Sequence, residues 1–324
     1  MDFRTIVSLE RDEQIELTPH SNVMLIGSCF ADHVGQLLQR SLPNQQVVVN
    51  PSGTLYNPLS ICRTVRTLLA ENVEEAIDKD GYFTTAAREW RHWDYATLFS
   101  ADTREGLKQK LIEAWQIGKR IVDKLDLLFV TFSTDHVYQL TEMQGRERVV
   151  ANCHKQPSRM FSERVASGED MLCQWGKVIE ELKQRRPEVK VVFTLSPYRY
   201  AKYGMHENAL CKARLLLLID QLEKLFQCVK YFPAYEIIND ELRDYRFYTE
   251  DMLHPSSQAV AYVWERFCDW AFSPSMHEYV KERVALVRAF EHRPLHPESE
   301  EFQRFLQRTE EKRMAFERKW KQAF

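Results

Sequence analysis

The chain has 324 residues, of which 44% are hydrophobic and 12% aromatic, enough to bury one substantial core. Its formal net charge of −3 lacks the basic footprint of a nucleic-acid binder. The seven cysteines (29, 62, 153, 173, 211, 228 and 268) are scattered without a CxxC pair, which argues against a zinc ribbon or a disulfide framework and for free thiols.

The N-terminus, "MDFRTIVSLERDEQIEL", is charged and has no apolar signal segment. No run approaches the roughly 18 apolar residues of a membrane span. The expectation is a cytoplasmic protein with no membrane partner. Residues 23–26 form the first expected strand, ending in "IGSCF", and a helix is expected over 31–40. A second strand covers 46–49, followed by "NPSGTLYNP" and a helix over 59–69. The aromatic stretch 80–100 breaks the pattern and reads as a hairpin or a lid. A helix over 104–122 precedes a third strand, "LLFVTF", at 127–132. Residues 137–153 read as a hairpin turning near Gly145. A helix over 169–186 leads to a fourth strand at 189–195, and a helix over 208–226 to a weaker fifth at 229–232. A helix over 255–272, beginning at Pro255, closes the series.

Continuous apolar strands suit a sheet covered on both faces. Their alternation with helices predicts a doubly wound, three-layer α/β/α fold with a mostly parallel five-stranded sheet. The main domain is expected over residues 1–272, with a C-terminal helical extension over 273–324. In the extension Phe302, Phe305, Leu306, Phe316 and Trp320 form an amphipathic stripe. That stripe suits packing on the main domain, or a homodimer contact.

In such a sheet ligands sit at the C-terminal strand ends, where "LIGSC", "TFSTDH" and "TLSPYR" lie. The first places two candidate nucleophiles, Ser28 and Cys29, at a helix N-terminus, whose amides stabilise a nearby anion. The alternative is an ordinary tight turn with a buried thiol. Near the end, "DMLHP" sets Asp251 three residues before His254, a spacing that lets one loop supply a base and its orienting carboxylate. Cys153 and His154 in "NCHK" are adjacent, so on a strand they would face opposite ways and rarely share a metal ion. No metal and no cofactor are expected. Arg199 could orient an anionic group or form an ion pair. Lys212 is equally ambiguous. "DELRDYRFY" is expected to lock the loop before "DMLHP" through salt bridges, with Glu236, Arg243 and Arg246 as structural members.

Together "GSCFA" (27–31), "NPSGTLYNP" (50–58), "NCHK" (152–155), "SPYR" (196–199), "YFPAYEIINDELRDYRFY" (231–248) and "DMLHP" (251–255) resemble the GSCFA family over roughly residues 20–272. The family is similar to a branch of the SGNH/GDSL hydrolases, where a Gly-Asp-Ser turn carries a nucleophilic serine. The resemblance implies that Cys29 stands at the nucleophile and Ser28 at the aspartate, with Ser28 kept as the second candidate. It implies His254 as base and Asp251 as its orienter. The amides of Cys29 and Gly53 become the candidate oxyanion donors. The third-block asparagine of the superfamily is absent. Asn152 is the substitute considered, and Ser133, Thr134 or Asp135 could offer polar contacts. Thr134, His154, Lys155 and Arg199 are the candidate substrate-binding residues.

Two functions follow. One is an ester hydrolase or acyltransferase acting on a small-molecule or glycan ester. The other is a binding or scaffold protein that kept the pocket and lost hydrolysis, favoured by the serine-to-cysteine change and the aromatic segment 90–95.

Overall fold

The apolar runs assemble into one central sheet in the computed structural model, which describes residues 5–141, 148–296, 298–321 and 323–324. β1 (Val23–Gly27) leads into α1 (Cys29–Ser41), β2 (Val47–Val49), α2 (Pro58–Leu69) and the short α3 (Val73–Ala76). β3 (Tyr82–Thr84) and β4 (Trp90–His92) pair antiparallel, so residues 80–100 contain a hairpin. α4 (Arg104–Val122) precedes β5 (Leu127–Phe132). β6 (His136–Leu140), β7 (Arg148–Val150) and β8 (Phe161–Val165) form a separate antiparallel sheet in the order β7-β6-β8. α5 (Gly168–Arg185), β9 (Lys190–Leu195), α6 (Met205–Leu225) and β10 (Val229–Phe232) complete the α/β series. Then come α7 (Ala234–Glu236), which widens into a π-helical turn at Ile237–Leu242, and α8 (Ser257–Ala271). α9 (Pro274–Glu291) and α10 (Glu300–Trp320) form the extension.

The five-stranded sheet runs β10-β9-β5-β1-β2, and all four pairings are parallel. Alternate residues supply two cores. Met24, Ile26, Leu128, Val130, Val191 and Phe193 face α2, α5 and α6. Val23, Leu25, Leu127, Phe129 and Val192 face α1 and α8. Each such side chain removed from water contributes about 1.5–3 kcal/mol, so these strands are held by their inward residues on both sides. The three layers follow directly.

Strand order reverses at β1, with β2 on one side and β5 on the other. That switch point opens a crevice at the carboxyl ends of β1 and β5. Gly27 makes the close approach there possible. Its φ is +143°, and a Cβ would fall 2.2 Å from the Thr131 carbonyl oxygen.

The five expected central strands agree with the structure to within a residue or two. The last helix of the α/β series begins at Ser257, capped by the Ser256 hydroxyl, rather than at Pro255. β6 and β7 pair antiparallel as the hairpin reading requires, while its turn at Gly145 lies outside the described residues. Of the salt bridges expected over 240–248, Arg246 pairs with nearby Asp244 at 2.9 Å and Glu241 with Arg266 of α8 at 3.9 Å, while Glu236 accepts from the Tyr231 hydroxyl at 2.7 Å instead. The extension packs on the main body through Met276, Tyr279 and Trp320, which share a core with Leu38 and Phe267. Among the described residues, no helix is long and apolar enough to cross a membrane.

Candidate active site

The turn after β1 separates its two nucleophile candidates. Ser28 is extended (φ −70°, ψ 176°) and its Oγ accepts the Phe30 amide at 3.3 Å. That bond makes it the N-cap of α1, and the residue is 0% exposed. Cys29 is the first helical residue, half-buried, and lines a cavity. Burial pushes its thiol pKa up, and the Asp32 carboxylate adds to the effect. The amides of Cys29 and Phe30 at the helix start pull the other way without reversing it. The resting group is therefore a thiol that needs a base.

Asp32 has a second task in this turn. It accepts from Asn50 Nδ2 at 2.6 Å and from the Thr54 hydroxyl at 2.9 Å, while Asn50 Oδ1 accepts the Gly27 amide at 2.8 Å. The loop after β2 is thereby tied to the nucleophile turn.

The base candidate arrives from the loop before α8. Asp251 Oδ1 accepts the amides of Leu253 (2.8 Å) and His254 (3.0 Å) and the Thr249 hydroxyl (2.7 Å). Its Oδ2 lies 2.5 Å from His254 Nδ1. The His254 amide, the His254 ring and the Leu253 amide hold this carboxyl far below its usual range. An ionised carboxylate can only accept, so Nδ1 carries the proton and Nε2 is left as the basic nitrogen. The Tyr198 ring packs on the imidazole at 4.4 Å between centroids.

Cys29 and His254 line the same cavity of about 430 Å³, at the ends of β1, β5 and β9. Tyr56, Tyr138, Tyr198, Tyr200 and Tyr203 supply aromatic walls. Asn57 and Asn152 also line it. Asn57 Oδ1 accepts the Ser60 amide at 2.9 Å, and Asn152 Oδ1 accepts the His154 amide at 2.7 Å. Each leaves an Nδ2 donor with no partner among the described residues. Behind the cavity, fully buried Lys212 donates to the carbonyls of Ser133 (2.7 Å) and Ser196 (2.8 Å), clamping the ends of β5 and β9. Burial pushes its ammonium pKa down to about 8.

Of the residues singled out in sequence, Cys29, His254, Ser133, Thr134, Asn152 and Cys153 line this cavity. Asp251 reaches it through His254. Gly53 does not line it: its amide donates to the Asn50 carbonyl at 2.8 Å, and at φ +77° it packs on Ala96. That amide closes a turn rather than facing Cys29. His154 is buried behind the wall, its Nε2 3.1 Å from the His92 carbonyl oxygen, and burial pushes its imidazole pKa down to about 4. Lys155 is exposed, at φ +56°. Arg199 lies in a separate cleft beside Tyr245 and Tyr248, 5.6 and 5.8 Å from their rings. Among the described residues, no three His, Cys, Asp or Glu side chains cluster as a metal site.

Sequence reasoning missed Tyr56, Asn57, Tyr198 and Tyr200. Asn57 carried a signal, because an asparagine before "PLS" is a helix cap, and a cap spends only its oxygen.

Fold and site define a class: a parallel α/β protein with cysteine, histidine and aspartate gathered at the sheet's switch point. A family model described as the GSCFA family matches residues 22–267, and one described as the GSCFA domain protein, C-terminal domain, matches 285–323. The chain belongs to the GSCFA family. No curated protein matches it. A solved structure from Bacteroides fragilis, described as "a putative acylhydrolase", is similar at 8% identity and a TM-score of 0.39, covering 84% of this chain and 91% of that one.

Proposed function

We propose that this protein transfers an acyl group from an ester, to water or to a second alcohol, through a covalent thioester on Cys29. His254 Nε2 takes the thiol proton as Sγ attacks the carbonyl carbon. The C–O bond of the ester then breaks, and His254 returns the proton to the departing alcohol oxygen. Water or the acceptor alcohol next loses its proton to His254 and attacks the thioester. Sγ leaves and is reprotonated. Asp251 holds the Nδ1–H tautomer and stabilises the imidazolium. In this reading the Cys29 amide and the Nδ2 groups of Asn57 and Asn152 serve as the oxyanion donors, since all three residues line the cavity. No step requires a cofactor.

One observation carries this reading. Cys29 and His254 share a cavity, while Ser28 is wholly buried as the helix cap. The test uses p-nitrophenyl acetate as acyl donor, with acid quench and peptide mapping. The expected product is an acetyl thioester on Cys29 that forms more slowly in His254→Ala. Acetyl on Ser28, or on surface lysines alone, would overturn it.

A further inference from the structure

Beside the cavity that holds Cys29 lies a larger one. It is a groove of about 870 Å³ between α1, α8 and α9, and His254 is the one residue it shares with the tyrosine-walled cavity. A general acid must lie within hydrogen-bond reach of the oxygen it protonates. The departing alcohol therefore lies on the side of His254, whereas the acyl group stays bonded to Cys29.

Resting on the acyl-transfer reading above, we infer that the tyrosine-walled cavity holds the acyl group and that the groove holds the alcohol part of the substrate, a hydroxyl-rich alcohol of the saccharide class. The groove's chemistry selects this occupant. His33, Gln36 and Gln39 of α1 and Ser257 of α8 line it with hydrogen-bonding groups, over an apolar strip that includes Val260 and Val287. Of its charged residues Arg40 and Glu291 offset each other, while Arg283 meets a neutral carbonyl and keeps its charge. Arg40 pairs with Glu291 at 3.5 Å, and Arg283 donates to the Leu42 carbonyl at 3.1 Å. A polyol fits these hydrogen-bonding walls better than a plain hydrocarbon. Ligand sites usually measure about 300–1,000 Å³, so the groove has room for more than a small alcohol. Arg283, Val287 and Glu291 all come from α9, so the C-terminal extension builds one wall of the substrate site.

The test reads alkylation of Cys29 in the full-length chain by three probes: iodoacetamide, N-iodoacetyl cellobiosylamine and N-decyl iodoacetamide. Each forms a Cys29 S–C bond with loss of iodide, and the thiol proton passes to His254. Val287→Trp narrows the groove, and Gln36→Trp does so from the opposite wall should the first variant fail to fold. The expected result is a loss of about tenfold or more with the cellobiosyl probe and less than about twofold with iodoacetamide. An unchanged ratio would overturn the groove assignment while leaving the role of Cys29 intact. Loss confined to the decyl probe would overturn the saccharide class. If iodoacetamide shows no preference for Cys29 in the unmutated protein, the acyl-transfer reading falls and this assignment falls with it.

Discussion

His254 Nδ1 lies 2.5 Å from Asp251 Oδ2, and the two residues belong to one turn whose amides also bind the carboxylate. The aspartate thus fixes both the loop and the tautomer of the base. Asp251→Asn keeps an acceptor for the turn but can present an amide N–H to the ring. The expected result is a fall in acetyl transfer to Cys29 on the order of 10²–10⁴-fold. Overall stability should change little because Asp251 is exposed. Quench-flow acylation and urea unfolding of the variant check the two parts separately.

Ser28 and Cys29 are neighbours with different tasks, and substitution should separate them. Ser28→Ala removes the cap of α1 and should cost about 1 kcal/mol in urea unfolding while Cys29 stays reactive. Cys29→Ala should abolish the acyl adduct with a smaller effect on stability. Loss of the adduct in well-folded Ser28→Ala, with retention in Cys29→Ala, would reverse the assignment.

Gly27 is the contact on which the switch point turns. Gly27→Ala would drive a methyl into the Thr131 carbonyl at a φ that L residues avoid. The expected cost is roughly 3 kcal/mol or more, measured by urea unfolding. A near-neutral result would show that β1 and β5 can separate at their ends.

His154 gives the fold a pH dependence of its own. Its folded value is about 4, against 6.5 for the free imidazole. Between those values the unfolded chain takes up a proton that the folded chain refuses. Its contribution is therefore complete above pH 6.5 and is lost as pH falls toward 4, with no further loss below. The span is on the order of 3 kcal/mol. His154→Asn tolerates the positive φ of 50° and removes the titration. It should be less stable at pH 7 and show a flatter stability profile from pH 6.5 to 4, as followed by denaturant unfolding.

The central strands were legible because most are short, largely apolar runs buried on both faces; β10, with Lys230 and a half-buried middle, gives the weakest signal. β8 was not, since "FSERV" alternates polar residues on a partly exposed sheet. The two turns that bring Cys29 and His254 together were legible from residue type and spacing. Gly53, His154 and Arg199 were not placed correctly, because a motif gives the chemistry of a side chain and not the direction it faces. Gly53 spends its amide on Asn50, and His154 turns into the wall toward the His92 carbonyl. The tyrosines of the cavity come from three separate stretches, the loop after β2 (Tyr56), β6 (Tyr138) and the segment after β9 (Tyr198, Tyr200 and Tyr203), which only the folded chain brings together.

The most direct measurement is the rate of Cys29 alkylation by iodoacetamide across pH, in the unmutated protein and in His254→Ala, with a serine-directed fluorophosphonate run in parallel. With an active His254, Cys29 should react faster than the other six cysteines near neutral pH, and the variant should react only as the solution becomes alkaline, because its burial and Asp32 keep the thiol protonated. Ser28 should not be phosphonylated. Identical profiles in the two proteins, or labelling at Ser28, would contradict a cysteine nucleophile activated by His254.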